Sequence, residues 1–168
     1  SFGIDLLIPM QEEMLQQFRR NESVVLLSPT GSGKTLGYLL SVVENMQQAT
    51  VPTVLVLVPS RELAIQTQGV AQKLCCELKS YACYGGRPAM DEHRAMRMIM
   101  PQLIVGTPGR ILDHIKKGNF TCHAIDTLVI DEFDKSLELG FRQQMSDILT
   151  LLPGIKRRIL LSATDSPE

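Results

Sequence analysis

Short hydrophobic runs recur along this chain, and stretches with helical spacing separate them. The runs stand at Val24–Leu27, Val54–Val58, Tyr81–Tyr84, Leu103–Val105, Leu128–Ile130 and Ile159–Leu161. Mostly continuous apolar runs of this length predict strands covered on both faces. Between them, apolar residues three and four apart predict helices over Lys34–Met46, Arg61–Leu78, Ala89–Met98, Pro108–Lys116 and Phe141–Leu151. Met10, Met14, Leu15 and Phe18 predict one more over Met10–Arg20. Strands alternating with helices predict an α/β domain, with a parallel sheet and helices on both faces. Ligands of such sheets bind beyond the carboxyl ends of the strands.

The segments that follow the six strands are SPTGSGKT, PSREL, YGG, GTPGR, DEFD and SAT. All are small, glycine-bearing, hydroxylic or charged, and the fold predicts that all lie on one edge. The first spans Ser28, Pro29, Thr30, Gly31, Ser32, Gly33, Lys34 and Thr35. Gly31 and Gly33 permit backbone angles that turn successive N–H groups into one hollow. The helix that follows aims its positive end at the same point. Lys34 brings a mobile charge for outer phosphates, and Thr35 a hydroxyl for Mg²⁺. Ser28 stands where the usual pattern has glycine, a mild departure. Strand, loop and helix in that order favour a phosphate site over a chance glycine-rich turn.

Asp131 and Glu132 close the Leu128–Ile130 strand. Opposite a phosphate loop, Asp131 can hold Mg²⁺ and Glu132 can orient and deprotonate water. Acidic residues also favour helix starts, so the pair gains its meaning from the loop. Ser162 and Thr164 carry hydroxyls that can bond Asp134, although a plain Ser/Thr turn reads the same way. Arg61 with Ser60, and Thr107, Gly109 and Arg110, open helices with free N–H groups, a hydroxyl and a cation. Such turns hold phosphates of a nucleic-acid strand without reading bases. Gly85 and Gly86 allow a strand to come close. Each turn alone reads better as a helix cap; three on one edge favour the strand.

Composition narrows this picture only a little. The 168 residues suffice for one domain with a core, and 44% hydrophobic with 21% charged residues is ordinary for a globular protein. A net charge of -1 says little about partners and does not predict nucleic-acid binding by bulk attraction, so any such binding rests on a few placed contacts. No apolar run is long enough to span a bilayer. Cys75, Cys76, Cys83 and Cys122 form no CxxC pair and read as reduced, buried thiols, the first two on a helical stretch. They point to the cytoplasm. Cys122-His123 lacks the second half of a metal site, and His93 and His114 read as isolated surface or helix residues.

In their order and spacing, SPTGSGKT, PSRELAIQ, YGG, TPGR, DEFD and SAT resemble the first RecA-like domain of a DEAD-box RNA helicase, from Gly3 to Thr164. Gly3 to Gln11 resembles the Q motif of that family, in which the Gln reads adenine. A Gln amide can pair both the amino group and a ring nitrogen of adenine. The resemblance implies a RecA-like P-loop NTPase fold, ATP selected by Gln11, and Mg²⁺ held by Thr35 and Asp131. Glu132 would activate water, and Lys34 would hold the outer phosphates. Asp134, Ser162 and Thr164 would couple hydrolysis to strand separation. Arg61, Gly85, Gly86, Thr107, Gly109 and Arg110 would lie along the RNA backbone. It also implies a second RecA-like domain, supplying arginine fingers and half the RNA surface, with protein partners possible. No such domain lies within residues 1–168, which read as one ATP-binding helicase domain of a longer protein. Alone, that domain is expected to bind nucleotide weakly and hydrolyse it slowly. An RNA clamp or assembly platform shares every motif. Another P-loop NTPase is the third reading, against which Gln11 and TPGR argue.

Three positions depart from the family pattern. Phe133 stands where the box has Ala, so its surroundings must be repacked. Ser60 replaces a more usual Thr and keeps the hydroxyl. The aromatic residue upstream of the Q motif would fall before Ser1.

Overall fold

The computed structural model describes residues 22–28, 32–44, 46 and 48–163. Among these residues, six strands form one all-parallel sheet: β1 (Glu22–Ser28), β2 (Val54–Leu57), β3 (Ser80–Cys83), β4 (Leu103–Gly106), β5 (Thr127–Ile130) and β6 (Arg157–Ala163). Six helices among the described residues connect them: α1 (Ser32–Glu44), α2 (Arg61–Leu74), α3 (Ala89–Ile99), α4 (Pro108–Lys117), α5 (Phe133–Glu138) and α6 (Arg142–Leu151). The strand order in space is β1-β6-β5-β2-β4-β3. None of the described helices is long and apolar enough to cross a membrane.

The apolar runs are continuous because the sheet has a core on each face. Val54 and Val56 enter one core, while Leu55 and Leu57 enter the other. On β5, Val129 is divided in the same way from Leu128 and Ile130. Tyr38, Leu39 and Val42 of α1 cover the first face with Ala64 and Ala71 of α2. Met96 of α3, Ile111 of α4, Phe133 of α5 and Met145 and Ile148 of α6 cover the second. The predicted α/β architecture with helices on both faces is therefore present.

The register brings the strands to a common edge. Leu57 pairs with Gly106 on one side and with Ile130 on the other. Leu27 pairs with Ser162, and Ser28 with Ala163. Close approach fixes one residue type at this edge: a Cβ on Gly106 would lie 2.6 Å from the Cys83 carbonyl oxygen and 2.7 Å from Ile111.

The elements depart from the expectation at α2 and at α5. α2 stops at Leu74 rather than Leu78, because Cys75 is extended (φ −151°) and a turn closes from Leu78 N–H to the Cys75 carbonyl. That turn delivers Leu78 to the buried face of the sheet. Cys75 and Cys76 thus lie beyond the helix, half-buried and exposed, and of the four free cysteines only Cys83 is buried. The other is α5, six residues long, where the sequence reads as a turn. The expected Met10–Arg20 helix lies outside the described residues.

Candidate functional site

Space sorts the strand-end turns. β1, β6 and β5 stand side by side and carry SPTGSGKT, SAT and DEFD; β2, β4 and β3 follow and carry PSREL, GTPGR and YGG. The motifs read as phosphate, metal and coupling elements occupy one half of the edge. Those read as strand-holding occupy the other.

In the first half, β1 ends at Ser28 and α1 opens at Ser32, so Gly33, Lys34 and Thr35 form the first helical turn. Thr35 is buried. Pro29, Thr30, Gly31, Gln11 and Thr164 lie outside the described residues. Asp131 is buried at 1% exposure, and its N–H bonds the Leu57 carbonyl at 2.9 Å. Its Oδ1 accepts the Glu132 N–H at 2.9 Å, which fixes the direction of the carboxylate. Glu132 takes a left-handed conformation (φ 51°, ψ 52°) between β5 and α5. For a residue with a Cβ this conformation costs about 1–2 kcal/mol.

α1 stands beside Asp131. Burial pushes the Tyr38 phenol well above its ordinary range, the Asp131 charge raises it further, and the Thr67 hydroxyl opposes both. Tyr38 therefore stays neutral in the field of Asp131. Asp134 Oδ1 is buried without a hydrogen-bond partner among the described residues. The bond expected from Ser162 to Asp134 is not formed, although Ser162 is buried on the adjacent strand.

In the second half, Ser60 caps α2, its Oγ accepting Leu63 N–H at 3.2 Å. Arg61 is exposed and reaches toward Gly86: a Cβ on Gly86 would lie 2.9 Å from Arg61 Nη1. Gly86 also has φ +97°, so only glycine suits this turn. Thr107 precedes α4 with no cap bond from its side chain, and open space surrounds Gly109.

Arg110 behaves otherwise. Its guanidinium turns into the protein, with Nη1 3.0 Å from Glu92 Oε1 and Nη2 3.0 Å from the Arg87 carbonyl oxygen. Glu92 is fully buried on α3. Its Oε1 also meets His114 Nε2 at 2.8 Å, and its Oε2 accepts Tyr84 N–H at 2.8 Å and Arg87 Nε at 2.9 Å. Arg87 lies over the Tyr84 and Tyr81 rings, 4.1 and 5.2 Å from their centroids, and donates to the Ala82 carbonyl. Burial opposes the Glu92 charge, but His114, the Tyr84 N–H, Arg87 and Arg110 outweigh it and hold the carboxyl below its usual range.

His114 corrects the sequence reading. It is fully buried, and its Nδ1 faces Asn119 Nδ2 at 2.9 Å. The sequence carries little sign of this network, since Glu92 reads as an ordinary acidic residue of a first helical turn. Cys83 Sγ comes near Glu92 and His114, yet the three do not suit a cation. Two guanidinium groups already balance the carboxylate, and burial pushes the Cys83 thiol far up. A cleft of about 390 Å³ lies at the opposite end of the sheet, by Thr53, Thr127 and Arg157, and touches none of the six turns.

A family model described as DEAD/DEAH box helicase matches residues 8–168. The chain is 35% identical over 160 residues to the ATP-dependent RNA helicase DeaD of Escherichia coli (strain K12), covering 93% of this chain and 25% of that protein. It is 36% identical over 166 residues to the probable ATP-dependent RNA helicase DDX59 of Mus musculus, covering 96% and 27%. The chain thus spans about a quarter of the length of these relatives. A crystal structure of a DEAD box protein from the hyperthermophile Methanococcus jannaschii superposes with a TM-score of 0.78 at 32% identity, covering 88% of this chain and 40% of the other.

Proposed function

This chain belongs to the DEAD/DEAH box helicase family, and we propose that it is the first, ATP-binding RecA-like domain of an RNA-dependent ATPase that unwinds short RNA duplexes or remodels RNA–protein complexes. The division of the sheet edge carries this reading: the turns read as phosphate, metal and coupling elements stand on one side, and the three read as holding a nucleic-acid backbone on the other. In it, Gln11 selects adenine, and the turn from Ser28 to Thr35 cradles the phosphates with Lys34 on the outer ones.

Thr35 and Asp131 offer oxygen ligands only, which suits Mg²⁺. When bound, Mg²⁺ neutralises charge on the phosphates. Asp131 is aimed by the Glu132 N–H. Glu132, turned aside by its left-handed backbone, orients the attacking water and takes its proton. Arg61, the Gly85–Gly86 turn, and Thr107 with Gly109 hold successive RNA phosphates, without sequence preference. Asp134, Ser162 and Thr164 pass the state of the nucleotide to the RNA and to a second RecA-like domain. That domain is the proposed principal partner, with further proteins setting the substrate. Four free cysteines fit the cytoplasm as the proposed location.

The test is ATP hydrolysis by the full-length protein, with and without single-stranded RNA. RNA is expected to raise the rate strongly, and Glu132→Gln to remove that rate while ATP still binds. ATP binding without any RNA effect would overturn the helicase reading in favour of another P-loop NTPase. Stimulation without duplex unwinding would move it to an RNA clamp.

A further inference from the structure

We infer that Glu92 is a positioning residue for the RNA strand, setting the distance and angle between the Gly85–Gly86 turn and the first turn of α4. The inference rests on the proposed reading of those two turns as RNA-holding. It goes beyond that reading, because no motif contains Glu92.

The network grips the Gly85–Gly86 turn from both ends. Tyr84, just before it, gives its N–H to Glu92 Oε2 at 2.8 Å. Arg87, just after it, gives Nε to the same oxygen at 2.9 Å. The other oxygen takes Arg110 from the first turn of α4 and His114 from the next. Arg110 then closes the circuit on the Arg87 carbonyl. One buried carboxylate therefore joins the end of β3, α3 and α4. Thr107 N–H adds a direct bond to the Cys83 carbonyl at 3.2 Å, so the two turns are neighbours in the backbone as well.

The geometry gives Arg110 a new part. A side chain committed to Glu92 and Arg87, with 16% exposure, is poorly placed to follow a phosphate. Its planar fork serves better as the strut between the two turns. RNA phosphates then meet Thr107, Gly109 and the backbone of Gly85 and Gly86, whose spacing the strut sets. A rigid spacing matters because a strand bound at two points binds tightly only when both are in place together.

The experiment compares full-length wild type with Glu92→Ala and Glu92→Gln. It reads the RNA concentration giving half-maximal ATPase stimulation, kcat at saturating RNA, and ATP affinity. Glu92→Ala is expected to raise the RNA requirement at least tenfold, leaving kcat and ATP affinity within twofold. Glu92→Gln is expected to fall between wild type and Glu92→Ala, since its amide oxygen can still accept Tyr84 N–H and Arg87 Nε while its NH₂ can no longer accept from Arg110. If Glu92→Ala fails to fold, His114→Leu replaces it; that buried residue cannot meet RNA, and a threefold rise is expected. An unchanged RNA requirement in the variant overturns the inference. So does a parallel loss of kcat and ATP affinity, which marks a merely structural role. If wild type itself shows no RNA stimulation, the functional reading falls and this inference with it.

Discussion

Replacing Phe133 by Ala restores the residue usual in the family box, and it should weaken this protein. Phe133 is only 2% exposed and lies in the core cluster that also holds Leu128, Ile130, Met145 and Ile148. Truncating a buried Phe to Ala typically costs about 3–5 kcal/mol, from lost burial and the cavity left behind. Phe133 opens α5, where Ala gains at most about 0.7 kcal/mol in helix propensity. The cavity term wins by several fold. For a domain of this size, about 2–4 °C per kcal/mol translates the cost into a fall in Tm of roughly 6–20 °C. Differential scanning calorimetry of the two proteins measures it directly. ATPase per folded molecule, assayed well below the transition, should stay within about threefold, because Asp131, Glu132 and Asp134 are untouched. A Tm within 2 °C of wild type, or above it, would refute the argument and show that neighbouring side chains collapse freely into the space.

Three further outcomes follow from the geometry. Gly106→Ala should destabilise by about 2 kcal/mol or more, since its Cβ meets the Cys83 carbonyl at 2.6 Å and backbone must move; urea unfolding measures this. Glu132→Gly should abolish hydrolysis yet raise stability by about 1 kcal/mol in the same assay, because glycine tolerates the left-handed angles. Glu92 has a folded-state carboxyl below its unfolded value near 4.5, so its contribution is complete above that value and is lost as pH falls through the folded one. Acid unfolding of wild type should therefore steepen below about pH 4.5, and Glu92→Gln should flatten that limb.

Much of the fold is legible in the chain because each central strand is buried on both faces and bounded by unmistakable turns. All six strand positions and the shared edge follow from that pattern. Helix ends are harder, since Leu74 and Leu78 continue one spacing and only the demands of the sheet separate them. α5 hides because Asp131, Glu132 and Asp134 carry the marks of a turn. The Glu92 network hides for another reason: its partners sit 5, 8, 18 and 22 residues away, with no periodicity to join them. His114 and Arg110 look exposed in sequence because their types usually are, and only tertiary pairing takes them inside. The residues expected to touch ligand are named by motifs; the residue that holds two of those motifs together is not.

The sorted edge has a mechanical consequence. Neighbouring strands lie roughly 4.8 Å apart, so the end of β1 and the end of β3 stand about 24 Å apart across five steps. Between the halves runs the seam of β5 against β2, where Asp131 N–H is stitched to Leu57. A parallel sheet packed on both faces is stiff along that seam. A load applied at one end is then felt at the other as a tilt of the whole plate, in the manner of a lever rather than a wire.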